Sequence, residues 1–366
     1  MGEEKADVIA DAQIPCMTLR VGVIGCGLIG RRRAEIVRQS HDKLVVVADV
    51  DERRAKVLGE EMGCLATTAW QEVVARDDVD AVVVSTTNKW LAPITVSALR
   101  CGKHVLVEKP AARTPAEAAD ILRAADGVRL VVAVGFNHRY HKAIWKAHEL
   151  FTQGAIGEIM FMRCRYGHGG RPGYDKEWRA DPEIAGGGEL LDQGIHAVDL
   201  FRWFLGDFSE AFGFTSTCFW DLGYFPPCDR DGHQHEGHRA EDNGFALFRT
   251  ATGKIASLHA SWTQWKNIFS FEVFGRDGYL IVEGLGGSYG TERLTWGRRR
   301  PESGPPDEER FDFPGPDVSW EAEWREFVTA IREGRGPLAS SYDGRQALRM
   351  VHAVYESGRT GEVVRL

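Results

Sequence analysis

A chain of 366 residues, 43% hydrophobic and 27% charged, has material for large cores and exceeds the roughly 250–300 residues at which one core stops growing, so two domains are expected. Its net charge of −8 argues against a nucleic-acid or membrane-surface binder and leaves small molecules as the expected partners. Seven scattered cysteines without a C-x-x-C spacing, no apolar leader and no run of roughly 18 apolar residues predict a cytoplasmic protein with reduced thiols and no membrane span.

Residues 1–18 read as a flexible tail. Residues 19–24 are a buried-strand pattern that runs directly into Gly25-Cys26-Gly27-Leu28-Ile29-Gly30, and residues 44–49 supply a second buried strand ending in Asp49, about 20 residues on. Strand, glycine turn, helix, strand and acid compose a dinucleotide fingerprint. Gly25 permits the tight turn, Gly27 lets backbone amides approach a pyrophosphate, and Gly30 lets helix and strand pack closely. Asp49 would accept hydrogen bonds from ribose hydroxyls and repel a 2′-phosphate, which favours NAD over NADP; the nearby Arg53 and Arg54 weigh the other way. Arg31-Arg32-Arg33 could assist the pyrophosphate, but a solvated helix face is the preferred reading.

The strand–helix alternation continues. Thr67-Thr68 can cap a helix to about Arg76; residues 80–85 form another buried strand, residues 90–100 a helix, and residues 104–107 the next strand. Thr114-Pro115-Ala116-Glu117 is a capping box with proline at the first helical position, and residues 130–134 close this half. Such repetition predicts a Rossmann-type parallel sheet over residues 19–137, with its ligand at the carboxyl ends of the strands. Glu108-Lys109-Pro110 lies at that edge, where the Lys109 ammonium can stabilise an alkoxide as a hydride leaves.

From Asn137 the pattern changes. After a helix over 140–151, aromatic-rich alternating stretches at 159–166, 245–249, 255–263, 269–274 and 279–282 predict a large, mostly antiparallel sheet in an α/β domain spanning 138–366. Residues 303–307 and 314–316 read as loops, and helices over 320–333 and 345–356 end the chain. Within this half, Gly186-Gly187-Gly188-Glu189-Leu190-Leu191-Asp192-Gln193-Gly194-Ile195-His196 places Asp192 and His196 one turn apart on one helix face. Leu191, Ile195, Val198 and Leu205 would anchor that helix. The pair is either an acid–base pair or a chance polar pair on a capped helix.

These motifs together, with Gly102-Lys103-His104-Val105-Leu106-Val107-Glu108-Lys109-Pro110 and Gly135-Phe136-Asn137-His138-Arg139-Tyr140, resemble the Gfo/Idh/MocA oxidoreductases over residues 19–357. The resemblance implies a Rossmann domain joined to an α/β domain whose open sheet mediates oligomerisation, hence a homo-oligomer, dimer or tetramer. It implies a catalytic trio of Lys109, Asp192 and His196, in which His196 is the general base, Asp192 orients it and tunes its pKa, and Lys109 polarises the reacting oxygen. Cofactor contacts are expected at Gly25, Gly27, Leu28, Ile29, Gly30, Asp49, Thr86, Asn88, Glu108, Lys109, Trp178 and Arg179. Substrate contacts are expected at Asn137, Arg165, His168, Tyr174, Asp192 and His196. Where relatives often read Thr-Pro-Asn-x-x-His, this chain reads Thr86-Thr87-Asn88-Lys89-Trp90-Leu91, so Leu91 replaces a histidine that shapes the site and a standard inositol or glucose substrate is in doubt.

Arg165, His168, Arg171, Lys176 and Arg179 either clamp an anionic group or form an ordinary charged loop balanced by Asp175, Glu177 and Asp181. Trp220, Trp262 and Trp265 offer faces to a sugar, although core packing is the commoner use. Cys228, His233, His235 and His238 match no zinc spacing and read as a loop, so no metal is expected. The expected function is an NAD-dependent dehydrogenase or reductase acting on a secondary alcohol of a sugar, sugar derivative or cyclitol. Two alternatives stay open: an NAD-dependent glycosidase working by transient oxidation, elimination and reduction, and a non-catalytic NAD-binding regulator.

Overall fold

In the computed structural model of the protein, residues 18–170, 177–218 and 240–366 are described. The expectations for Arg171, Tyr174, Asp175, Lys176, Trp220, Cys228, His233, His235 and His238, and for the tail through residue 17, lie outside the described residues.

The first half alternates strand and helix: β1 (Arg20–Ile24), α1 (Leu28–Gln39), β2 (Lys43–Ala48), α2 (Glu52–Met62), β3 (Leu65–Thr67), α3 (Trp70–Ala75), β4 (Ala81–Val84), α4 (Asn88–Arg100), β5 (His104–Val107), α5 (Pro115–Ala125) and β6 (Val132–Val134). The strands are apolar at consecutive positions because helices cover both faces of their sheet. Val21, Val23, Ala81, Val83 and Leu106 enter one core, and their neighbours Val82, Val84, Val105 and Val107 enter the other. All pairings are parallel in the order β3-β2-β1-β4-β5-β6. The order reverses between β1 and β4, which opens a crevice at their carboxyl ends. Thr114 accepts the Glu117 N–H as expected, whereas Thr67 ends β3 and the residue capping α3 is Ala69.

A 3-10 turn (Asn137–Tyr140) leads into α6 (Lys142–Thr152), β7 (Ile159–Gly167), α7 (Pro182–Ala185), α8 (Glu189–Asp192), α9 (Gly194–Leu205) and β8 (Glu210–Ser216). Then come β9 (Asn243–Arg249), β10 (Ile255–Ser261), β11 (Ile268–Gly275), β12 (Gly278–Glu283), β13 (Glu292–Arg298), β14 (Asp307–Phe313), α10 (Ser319–Glu333), α11 (Ser341–Thr360) and β15 (Val364–Arg365). Nine strands form one sheet, β14-β13-β12-β11-β7-β10-β9-β8-β15, antiparallel except where β7 meets β10. One face packs against α6, α9 and α11. The other is open and carries the exposed Phe161, Phe214, Phe245 and Leu247. Strand alternation settles Arg165: Met162, Cys164 and Tyr166 point to the helices, and Arg163 and Arg165 to the open face. Arg165 stands opposite His259 there and cannot serve a site on the helix side within its own chain, which corrects the expected substrate contact. No helix among the described residues is long and apolar enough to cross a membrane.

Helix α10 returns to the first half, where Trp324, Phe327, Val328 and Ala330 share a core with Val21, Val23 and Leu106. The basic run on α1 meets it there. Arg31 pairs with Glu61 and Arg32 with Asp317, both partly in solvent, but Arg33 is 1% exposed. Its Nε donates to Glu108 Oε1 at 2.7 Å, its other face lies 2.6 Å from Glu323 Oε2, and the guanidinium sits 4.4 Å from the Trp320 ring. The expected solvated face therefore fails at Arg33: a buried guanidinium between two carboxylates replaces it. The same bond turns the Glu108 side chain to α1, which removes that side chain from the expected cofactor contacts. Arg33→Met leaves two buried carboxylates without their cation. It should cost about 3–5 kcal/mol in urea unfolding at about pH 8, whereas breaking one buried partner's exposed neighbour, Arg32→Ala, should cost at most about 1 kcal/mol.

Candidate active site

The glycine turn shows why its residues are glycines. Gly25 has φ +99°, and a Cβ there would lie 2.4 Å from the Ser85 carbonyl oxygen; a Cβ on Gly30 would lie 1.7 Å from the Gly25 carbonyl oxygen. At Gly27 nothing lies within 4 Å of an added Cβ. That space faces the uncapped N-terminus of α1, with Leu28, 81% exposed, at its edge and the half-buried Ile29 beside it. Free first-turn amides over an open cradle suit a pyrophosphate. Asp49, at the end of β2, is fixed by the Cys26 N–H at 2.7 Å and the Asp51 N–H at 2.9 Å. It presents a held carboxylate beside the cradle.

At the next strand end, Thr86 Oγ1 donates to the Thr87 carbonyl. Asn88 is buried and donates through Nδ2 to the Ala185 carbonyl at 2.8 Å, tying α4 to α7. The amide nitrogen of its side chain is thus committed to structure. Leu91 lies in the core, so the departure from the histidine pattern removes a polar group without putting an apolar one in the crevice.

Lys109 extends from the carboxyl end of β5, and its Nζ donates to both Oδ1 and the backbone oxygen of Asp192 at 2.6 Å. Arg179 Nε lies 3.3 Å from Asp192 Oδ2, with its guanidinium 4.6 Å from the Trp178 ring. Burial pushes the Asp192 carboxyl up, but Lys109 and Arg179 outweigh it and hold the group well below the usual range. Asp192 and His196 do not share one helix: α8 ends at Asp192, Gln193 intervenes and α9 begins at Gly194. The break leaves the Asp192 carbonyl free to accept from Lys109.

The last glycine before α8, Gly188, is explained by Glu241, which the sequence reading did not single out. Its carboxylate accepts the Gly188 N–H at 2.8 Å, the Leu190 N–H at 3.1 Å and the Tyr355 hydroxyl at 2.8 Å. A Cβ at Gly188 would lie 1.9 Å from the Glu241 backbone oxygen. Burial raises the Glu241 carboxyl to about 7.

His196 is 5% exposed, anchored beside the buried Leu191, Ile195 and Val198, while Leu205 is only half-buried. Its Nδ1 is buried without a partner among the described residues. Asp192, expected to orient the ring, has its carboxylate held by Lys109 and Arg179. The ring of His196 lies on that of His138, centroids 3.8 Å apart at 21°, and meets Phe136 edge-on at 6.1 Å. Burial, then the Lys109 cation, keeps the His196 pKa well below the ordinary value, so the imidazole is neutral. His138 is also absent from the expected site residues, although the motif containing it was recognised; Tyr166, bonded to it at 3.1 Å, was readable only as an inward position of β7.

Asn137 donates to Ser319 Oγ at 2.9 Å and is buried against the start of α10, away from the expected substrate contact. His168 Nδ1 accepts the Gly170 N–H in a local turn. Trp262 is buried, whereas Trp265 is 68% exposed with φ +55°. No metal-ligating group of His, Cys, Asp and Glu occurs among the described residues.

Residues 19–136 match the oxidoreductase family with an NAD-binding Rossmann fold, and residues 144–281 match the GFO/IDH/MocA C-terminal domain. The chain belongs to the Gfo/Idh/MocA oxidoreductases. Among similar members, 1,5-anhydro-D-fructose reductase of Ensifer adhaerens is 29% identical over 351 residues, 95% of this chain and 98% of that protein. D-glucoside 3-dehydrogenase of Escherichia coli strain K12 is 30% identical over 251 residues, 67% of this chain and 70% of that protein. A levoglucosan dehydrogenase structure in complex with NADH and L-sorbose has the same fold, with a TM-score of 0.82 at 24% identity, covering 95% of this chain and 98% of that one. Membership makes this chain an oxidoreductase with an NAD-binding Rossmann domain.

A buried neutral histidine refuses the proton that its unfolded counterpart accepts below about pH 6.5, so stability falls as the pH drops through that value, by up to about 1.4 kcal/mol per unit. His196→Phe should therefore lose less stability than the wild type between about pH 7 and pH 5, read as urea midpoints. An equal loss would mean that His196 takes up the proton in the native state.

Proposed function

We propose that the enzyme oxidises a secondary alcohol of a sugar, sugar derivative or cyclitol with NAD, and runs the reverse reduction, through Lys109, Asp192 and His196. The observation that carries this reading is the geometry at the sheet edge: a charged lysine fixed by a carboxylate beside a neutral, nearly buried imidazole. An ammonium has three protons. Two of those on Lys109 are committed to Asp192, leaving one to donate to the reacting oxygen and stabilise its developing charge. His196 Nδ1 is sealed, so Nε2 is the nitrogen that accepts the hydroxyl proton. Asp192 serves Lys109, and Arg179 neutralises its second oxygen.

The open cradle at Gly27 and the held Asp49 fit NAD, which when bound supplies the hydride acceptor at nicotinamide C4. Gly25, Gly27 and Gly30 shape the pyrophosphate turn, Leu28 and Ile29 border it, and Asp49 receives the ribose hydroxyls. The relatives named for an anhydrosugar and for glucosides support a pyranose-like alcohol over an open-chain one. The apolar open face of the large sheet supports a homo-oligomer, and the free Cys26, Cys64, Cys101, Cys164 and Cys218 suit a reducing cytoplasm.

The test is NADH formation across a panel of glycosides, anhydrosugars and cyclitols. His196→Ala should bind NADH with near wild-type affinity while turnover falls by about 10²–10⁴-fold, and Lys109→Met should lose turnover by a similar factor. Release of a chromogenic aglycone without net NADH would overturn net oxidation in favour of redox-neutral cleavage. Silence in both assays, with NADP as well as NAD, would overturn catalysis. Asp49→Ser should raise the NADP to NAD preference by about tenfold or more, since a like charge no longer meets the 2′-phosphate.

A further inference from the structure

An acid–base histidine needs its ring held in one plane, and in many sites a carboxylate on Nδ1 does so. Here Nδ1 of His196 has no partner among the described residues, and both oxygens of Asp192 face cations. Something else must orient the ring. The face of His196 is covered by His138 at 3.8 Å and 21°, close to parallel. His138 is itself clamped at both nitrogens, with Nδ1 3.2 Å from Asn137 Oδ1 and Nε2 3.1 Å from the Tyr166 hydroxyl. Asn137 Nδ2 is used by Ser319, so the amide presents its oxygen, which can only accept; His138 Nδ1 carries the proton and Nε2 accepts from Tyr166.

We propose that His138 is a positioning residue that replaces the missing carboxylate partner, fixing the plane of the His196 ring by face-to-face stacking. It rests on His196 being the base. With both nitrogens occupied, His138 has no free site for the proton that His196 takes, so the stack orients without relaying. It also excludes water from one face of His196. Both rings are buried and have pKa values well below the ordinary histidine value, with desolvation the largest cause for each. The groups facing His196 from the surrounding elements are Lys109 after β5, Asp192 at the end of α8, His141 at the start of α6 and His138 itself; His141 is held 2.8 Å from Glu292. Removing the His138 ring leaves those charges in place and lets water reach His196, which raises its pKa.

The experiment compares His138→Ala and His138→Phe with the wild type and with His196→Ala, measuring kcat and KM for the alcohol, NADH affinity, and kcat/KM against pH. His138→Ala should keep NADH affinity and KM within a few-fold while kcat falls about 10²-fold, and the acidic limb of its profile should move up toward about pH 6.5. His138→Phe keeps a flat ring without titratable nitrogens and should recover to within about tenfold of the wild-type rate with the wild-type acidic limb. His138→Ala with unchanged rate and profile would overturn the proposal, as would phenylalanine no better than alanine while both bind NADH. Should the alanine variant fail to fold, the phenylalanine profile decides: an unshifted limb supports the stack and a shifted one sinks it. If His196→Ala keeps its turnover, the assignment of the base fails instead, whatever His138 shows.

Discussion

The bond between Lys109 and Asp192 fastens the parallel-sheet half to the second half at the proposed site. One partner comes from the end of β5 and the other from the end of α8, so the position of the ammonium depends on both halves at once. Each element near it serves this placement. Arg179 holds the second oxygen of Asp192, the interruption at Gln193 frees the carbonyl that takes a second Lys109 proton, and Glu241 secures the backbone from which α8 starts. Two partly buried opposite charges at this distance are tolerable because each has further hydrogen bonds to satisfy it.

The buried charges are divided between two tasks. Arg33, between Glu108 and Glu323, is enclosed and leaves nothing pointing outward, so it works as architecture. Burial raises Glu323 to about 7 even with Arg33 beside it, a measure of how little solvent reaches that cluster. The Lys109 cluster is more open, about a fifth of its lysine side chain being accessible at 20%. Adjacent residues in sequence, Glu108 and Lys109, therefore belong to opposite sides of the strand end, one committed to holding helices and one to the crevice.

Much of this was legible in the residues. The strands of the first half read as continuous apolar runs because both faces of that sheet are covered, and Gly25 and Gly30 stand where a Cβ would collide with backbone. The antiparallel half was less complete. β13 and β14 escaped because their alternation is broken by charged pairs such as Arg293 with Asp312, and β8 because its apolar face is short. At the site, residue types were readable and partnerships were not. Arg33 looks like its solvated neighbours until α10 supplies Glu323, from a distant part of the chain. Arg165 lies on the wrong face by the parity of one strand position. The Asp192–His196 spacing suggested a continuous helix, but backbone hydrogen bonding to Lys109 and the bend at Gln193 decide otherwise. His138 stacks on a residue far from it in sequence, a relation that no local period encodes.

Helix α10 carries a consequence for how the molecule is made. Trp324, Phe327, Val328 and Ala330 complete the core that β1, β4 and β5 began, so that core stays open on one side until α10 has been synthesised. The nucleotide-binding half, though first in sequence, is thus among the last parts to close. A nucleotide captured before then would meet a sheet with one covering helix missing.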